Sequence, residues 1–259
     1  MSGKGGVGKT TVTVNLALSL KKLGYDVGIL DVDVHGPSVP KMLNAEDMNP
    51  ELTDMVRTTP GVHKHVPHIG FKPVETKYGI KIMSVGLIWP RELPVLWRGP
   101  FKSRLVKDML ASVVWGKLDF LLFDMPPGCG DEVLTIIKDV PALDGVVLVT
   151  TPQEVSTAIT RKAGEAVKMS GIRILGVVEN MSWYICPYCG KRVDFGIRGG
   201  EILAEVLEAP LLGRIPFNVK VIEYSDKGVP IVLSEPDDIV SKEFMSIAES
   251  IVNMLKQGK

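Results

Sequence analysis

The sequence predicts a three-layer α/β fold, a mostly parallel central sheet covered by helices on both faces. Three observations predict it. Short β-branched runs recur between segments with helical apolar spacing. Those runs are apolar throughout and do not alternate, the pattern of strands buried on both faces. The first helical segment follows a glycine-rich loop of the kind that wraps phosphate at a helix N-terminus.

The loop comes first. Gly3-Lys4-Gly5-Gly6-Val7-Gly8-Lys9-Thr10, continued by Thr11, fits G-x-x-x-x-G-K-[ST]. Glycine allows close backbone approach to phosphate oxygens. Lys9 supplies a point charge for the β/γ-phosphates and the Thr10 hydroxyl a ligand for Mg²⁺. The plain alternative is a glycine-rich turn capping an ordinary helix. Lys4 is not required by the pattern, and two lysines flanking these glycines repel unless an anion lies between them. Only Met1 and Ser2 precede Gly3, whereas a phosphate loop needs a buried strand to aim it. The expectation is an apolar strand upstream of Met1 in the natural protein.

Strands are then expected at 27–30, 80–85, 120–123, 146–150, 174–178 and 211–215, and helices at 10–22, 101–114, 132–139, 155–169, 201–207 and 239–255. Residues 1–259 read as one domain. The stretch at about 43–79, rich in proline and weak in periodicity, reads as a surface insertion outside the core, and about 181–198 as a metal-binding hairpin. Within the insertion His63, His65 and His68 have no cysteine or carboxylate ligands nearby, which favours a solvated loop over a metal site. The last helix places Val240, Phe244, Ile247, Ile251 and Met254 on one face; its polar face is not strongly basic, so a docked core helix is favoured over a membrane-targeting one.

Thirty basic and thirty acidic residues cancel, and the pI is near 6.9. This balance argues against nucleic acid or a membrane surface as partner. The longest apolar runs are strand-sized, below the ~18 residues of a membrane span. Three cysteines, two of them in one C-x-x-C, do not make a secreted disulfide scaffold, and a reducing cytoplasm is expected.

Asp31 and Asp33, at i and i+2 after the second expected strand, reach the sheet edge where ligands bind. Either can also be a plain cap or turn former. Phe120-Leu121-Leu122-Phe123-Asp124 is an apolar strand ending in a carboxylate that can hold Mg²⁺ through water, with Gly128 beyond it. Cys186-Pro187-Tyr188-Cys189 offers two thiolates to one metal. The remaining cysteine, Cys129, lies near Asp124 in sequence, so a four-thiolate site needs two chains meeting on a two-fold axis at the hairpin. Zinc and iron–sulfur both suit this spacing, and a redox pair is disfavoured by the Pro/Gly/Tyr loop.

A lysine at the Lys4 position resembles the deviant phosphate loop of ParA/MinD-type ATPases, in which it reaches the partner's nucleotide. Together with D-V-D-x-x-G-P-S from Asp31, W-R-G-P at Trp97 to Pro100, D-x-P-P-G from Asp124, V-T-T-P-Q at Val149 to Gln153, and E-N-M-S-x-x-x-C-P-x-C-G at Glu179 to Gly190, it resembles the Mrp/ApbC family over nearly the whole chain. These are P-loop ATPases that carry iron–sulfur clusters. The resemblance implies a three-layer P-loop NTPase fold and slow ATP hydrolysis by a homodimer joined through the Cys186/Cys189 hairpin. It also implies a bridging [4Fe–4S] cluster on those cysteines (zinc in aerobic preparations), passed to apo iron–sulfur proteins.

By the same resemblance Lys4, Lys9 and Asp33 are catalytic, Asp33 orienting the attacking water and Asp31 supporting its loop. Gly3, Lys4, Gly5, Gly6, Val7, Gly8, Lys9, Thr10, Thr11, Asp124 and Asn180 hold the nucleotide, Asn180 at the adenine edge, while Thr10 and Asp33 hold Mg²⁺. Three positions depart from the family pattern: Cys129 stands where Thr is usual, Arg198 replaces a glycine, and Ile159 falls where an acidic residue is common. Competing readings are a MinD/ParA-like positioning ATPase and a zinc-stapled nucleotide-binding dimer. The C-x-x-C hairpin disfavours the first.

Overall fold

A computed structural model describes residues 1–54, 69–89, 99–128, 130–140, 143–196 and 198–257. His63, His65, His68, Trp97, Arg98 and Cys129 lie outside the described residues. The elements are α1 (Lys9–Lys22), β1 (Val27–Asp31), α2 (Val39–Met42), β2 (Leu52–Asp54), β3 (Ile69–Phe71), β4 (Val74–Glu75), β5 (Lys81–Ser84), α3 (Gly99–Ser112), β6 (Phe120–Asp124) and α4 (Asp131–Asp139). They continue as β7 (Val146–Thr150), α5 (Glu154–Met169), β8 (Ile174–Glu179), β9 (Trp183–Ile185), β10 (Arg192–Asp194), α6 (Gly199–Val206), β11 (Leu211–Arg214), α7 (Val219–Asp226), α8 (Ile231–Ser234) and α9 (Ile239–Gln257).

Strands run in the order β4-β5-β1-β6 in one sheet and β11-β8-β7 in another. Every pairing in them is parallel except that of β4 with β5. Met1 and Ser2 link the facing edges. The Met1 amine donates to the Val147 carbonyl at 2.8 Å and Val149 N to the Met1 carbonyl at 2.8 Å, while Gly128 N, just after β6, donates to the Ser2 carbonyl at 2.9 Å.

Continuous apolar strands become a two-faced sheet because successive side chains point to opposite sides. On β1, Val27 and Ile29 pack with Leu16, Leu20, Phe244 and Ile247 of α1 and α9. Leu30 packs the other way, with Met83, Met109 and Val113. Beyond β1, Val32 meets Val106, Val133 and Ile136 of α3 and α4. Leu148 and Val177 meet Leu203 and Leu207 beside α6. The result is the expected three layers.

The expected apolar face of α9 is docked: Val240, Phe244, Ile247 and Ile251 are buried and Met254 packs against them. Among the described residues no helix is long and apolar enough to cross a membrane.

Two local expectations need correction. Residues 43–79 are not wholly outside the core, because Leu43 and Val74 are buried in the main cluster and β4 adds an edge strand against β5. A strand of two residues is too short to show a period. The helices α2, α7 and α8 were also not expected from periodicity; α2 and α8 have only four residues each, and α7 buries no residue fully. Local signals start two of them, a proline in the first turn of α2 and the Asn218 side chain accepting from Lys220 N at 3.0 Å before α7.

Candidate functional site

The phosphate loop sits at the C-terminal edge of the sheet. Gly8 precedes α1 in the left-handed region, φ 85° and ψ 31°, and an added Cβ there would lie 2.2 Å from Asn180 Nδ2. Only glycine fits both demands. The first turn of α1 holds no acidic residue, so the positive end of the helix is open to an anion. Lys9 is buried. Burial lowers the pKa of its ammonium, against the pull of the Asp124 and Asp33 carboxylates. Lys4, with Gly5 and Gly6, is exposed, and its carbonyl accepts from Ser2 Oγ at 2.8 Å.

β1 and β6 bring Asp31 and Asp124 into register as neighbours. Both are buried. Burial raises both carboxyl pKa values, that of Asp31 well above its ordinary value, where the charge of Asp124 adds to it. Asp124 Oδ2 accepts from Thr10 Oγ1 at 2.6 Å and Oδ1 from Thr13 Oγ1 at 2.9 Å. Ser38 Oγ donates to Thr10 Oγ1 at 3.1 Å.

Asp31 accepts from Ser84 Oγ at 3.0 Å, Asp33 N at 3.1 Å and Val39 N at 3.4 Å, so it anchors both ends of the loop between β1 and α2. Asp33 is half-buried on that loop, and its Oδ1 accepts from Gly36 N at 3.2 Å. Thr10, Ser38, Asp33 and Asp124 present hydroxyl and carboxylate oxygens only, a donor set suited to a hard cation such as Mg²⁺. Thr13 and Ser38 were missed in the sequence. The available signal for Thr13 was its spacing, three residues after Thr10 on one helical face.

Asn180 lies just beyond β8. Its Nδ2 donates to the Val7 carbonyl at 2.9 Å and its N to the Thr150 carbonyl at 2.8 Å. The side chain expected at the adenine edge is thus tied to the phosphate loop at Val7.

Cys186 and Cys189 occupy the turn of an antiparallel hairpin, β9 with β10. Cys186 N donates to the Lys191 carbonyl and Gly190 N to the Cys186 carbonyl, both at 2.9 Å. The amides of Cys189 and Tyr188, and then the Cys189 thiol, hydrogen-bond the Cys186 sulfur and hold its pKa below the ordinary thiol value. Such a knuckle favours thiolate and hence metal. Cys189 is exposed, Cys186 is half-buried and Tyr188 between them is 97% exposed, so the turn that carries them lies at the surface. No cluster of three His, Cys, Asp or Glu side chains able to hold a metal occurs among the described residues. Stacking of Tyr184 on Phe195, ring centroids 5.1 Å apart, and an edge contact of Phe195 with Phe217 at 6.4 Å fasten the hairpin to the chain after β11.

A family model described as the NUBPL iron-transfer P-loop NTPase, of the ParA group, matches residues 1–252. An iron-sulfur cluster carrier protein of Methanocaldococcus jannaschii is 48% identical over 100% of this chain and 84% of its own length. Another, of Pyrococcus horikoshii, is 45% identical over 100% and 86%. Among solved structures, a nucleotide-binding protein of Archaeoglobus fulgidus in complex with ADP superposes with TM-score 0.73 at 36% identity, over 92% of this chain and 87% of that one. The septum site-determining protein MinD of Pyrococcus horikoshii, complexed with Mg-ADP, superposes with TM-score 0.69 at 26% identity, over 100% and 96%.

Proposed function

Because the chain belongs to the ParA-group family of NUBPL iron-transfer P-loop NTPases, we propose that it is an ATP-hydrolysing carrier that assembles a [4Fe–4S] cluster and passes it to apo-proteins in a reducing cytoplasm. Residues 1–259 act as one ATPase domain. The observation that carries the reading is the preformed thiol knuckle at Cys186 and Cys189, on a surface hairpin of a chain that also holds a complete phosphate loop. Two chains meeting at that hairpin supply four thiolates, and an outward-facing cluster is accessible to a recipient.

At the nucleotide site Lys9 and the amides around Gly3 to Thr11 hold phosphate, Thr10 and Asp33 are the Mg²⁺ ligands, and Asp124 holds the ion's shell through Thr10. Bound Mg²⁺ neutralises the developing charge on the phosphates. Asp33 orients the attacking water, and Lys4 acts on the partner's nucleotide. The Asn180 carbonyl oxygen is an acceptor suited to the adenine amino group.

Anaerobic reconstitution followed by metal analysis tests this. We expect a brown dimer with about four iron and four sulfide per dimer, able to activate an apo-ferredoxin, with colour and transfer both lost in Cys186→Ala and in Cys189→Ala. A protein that holds only tight zinc and transfers nothing would falsify the carrier reading in favour of a zinc-stapled dimer.

A further inference from the structure

The hairpin is tied to the nucleotide site by a path of polar contacts that the motifs do not announce. Glu179, the last residue of β8, is fully buried. Its carboxylate accepts from the Ser182 hydroxyl, from Gly200 N at 2.6 Å and from Arg214 Nε at 3.1 Å. A Cβ on Gly200 would lie 2.6 Å from Glu179 Cβ, so the amide reaches the carboxylate only because that residue is glycine. The side chain of Arg214, at the end of β11, is 18% exposed and turns one outer nitrogen to the hairpin and the other towards α6. Nη2 meets Asp194 Oδ1 at 3.0 Å and Nη1 lies 3.8 Å from Glu201. Asp194 ends β10 and also binds Arg192 at 2.8 Å, whose guanidinium lies 4.3 Å from the Trp183 ring centroid.

The other end of the path is the phosphate loop. Asn180 is joined to Glu179 by one peptide bond and donates to the Val7 carbonyl. The 2.2 Å that a Gly8 Cβ would leave to Asn180 means that loop and side chain have no slack between them. These contacts form a continuous route from Val7 through Asn180 and Glu179 to Arg214 and Asp194. A buried ion pair is weak evidence for stability, since an apolar pair of similar volume often serves as well; its better-attested use is to fix register. Here the register fixed is that of the cysteine hairpin on the sheet.

We propose that Arg214, acting through Asp194, is a positioning residue that sets the hairpin according to what the phosphate loop holds, so that nucleotide changes the metal affinity of Cys186 and Cys189. The inference rests on the reading of the hairpin as a metal site. It needs no contact between nucleotide and metal, only a hairpin whose two arrangements differ in affinity for each ligand.

The test titrates the full chain with Co²⁺ alone, reading the thiolate charge-transfer band, with and without saturating Mg-AMPPNP. For the wild type we expect the Co²⁺ dissociation constant to change by about fivefold or more on adding nucleotide. Arg214→Met leaves Glu179 buried without its cation and is at risk of misfolding, so Asp194→Ala, on the exposed hairpin, is the primary variant. Asp194→Ala should bind Mg-AMPPNP and, without nucleotide, Co²⁺ as the wild type does, yet lose the nucleotide-dependent change. A wild-type-sized change in Asp194→Ala overturns the inference, as does a wild-type band indifferent to nucleotide. No thiolate band in the wild type overturns the metal reading of the hairpin and this inference with it.

Discussion

The Thr13 hydroxyl donates to Asp124 Oδ1 at 2.9 Å, one helical turn beyond Thr10, which donates to Oδ2 at 2.6 Å. Both oxygens of a buried carboxylate are thereby engaged by one face of α1, and β6 is pinned to the phosphate loop. Thr13 is also within 3.0 Å of the Lys9 carbonyl, so it braces the first turn of the helix.

Thr13→Val keeps the shape and removes the donor. An unsatisfied buried acceptor costs ~1–3 kcal/mol, and we expect a loss of stability within that range in urea unfolding. The sharper reading is magnesium dependence. Nucleotide affinity in EDTA should stay near that of the wild type, while the Mg²⁺ concentration needed for tight binding rises several-fold, because Asp124, held by Thr10 alone, positions the Thr10 hydroxyl less firmly. Equal weakening with and without Mg²⁺ would count against a role at the ion.

Arg198 gives a second test. It occupies the left-handed region at φ 58°, ψ 48°, just before α6, where an L-residue with a side chain is strained by roughly 1–2 kcal/mol. Its contact with Glu201 at 3.4 Å is on the surface and returns little. Arg198→Gly relieves the strain but loosens the unfolded chain by ~0.4–1 kcal/mol. The expected net is a gain of about 0.5 kcal/mol, whereas Arg198→Ala keeps the strain and should gain nothing. Thermal melts of the two variants beside the wild type separate these outcomes.

Arg198 stands where the sequence pattern asks for glycine, and the positive φ supplies the physical reason. Much of the site was legible in the same way, because the phosphate loop, the Asp124 strand and the C-x-x-C turn are each local, with spacing set by backbone geometry. Glu179 and Arg214 were not legible as partners: they are 35 residues apart, and only the pairing of β8 with β11 brings them together. The same holds for Thr13, whose partner Asp124 lies 111 residues away. The core was legible where strands are apolar throughout. It was missed at Leu43 and Val74, where the burying contacts come from other segments.

The last prediction separates the two lysines of the loop. Lys9 is buried at the start of α1, its ammonium destabilised by burial and partly compensated by Asp124 and Asp33. Such a cation is set in the ground state to meet a phosphate. Lys9→Ala should therefore abolish tight binding of fluorescent ATP and ADP alike, without lowering the stability of the nucleotide-free protein, since the variant removes a desolvated charge. Lys4 is exposed. A cation that reaches a phosphoryl group only from the partner chain acts on the transition state more than on the bound substrate. Lys4→Ala should therefore bind nucleotide within a few-fold of the wild type and lose ~10²-fold or more in the rate of phosphate release. A loss of affinity in Lys4→Ala as large as that in Lys9→Ala would place both lysines on the same ground-state phosphate and remove the case for a lysine acting across the dimer.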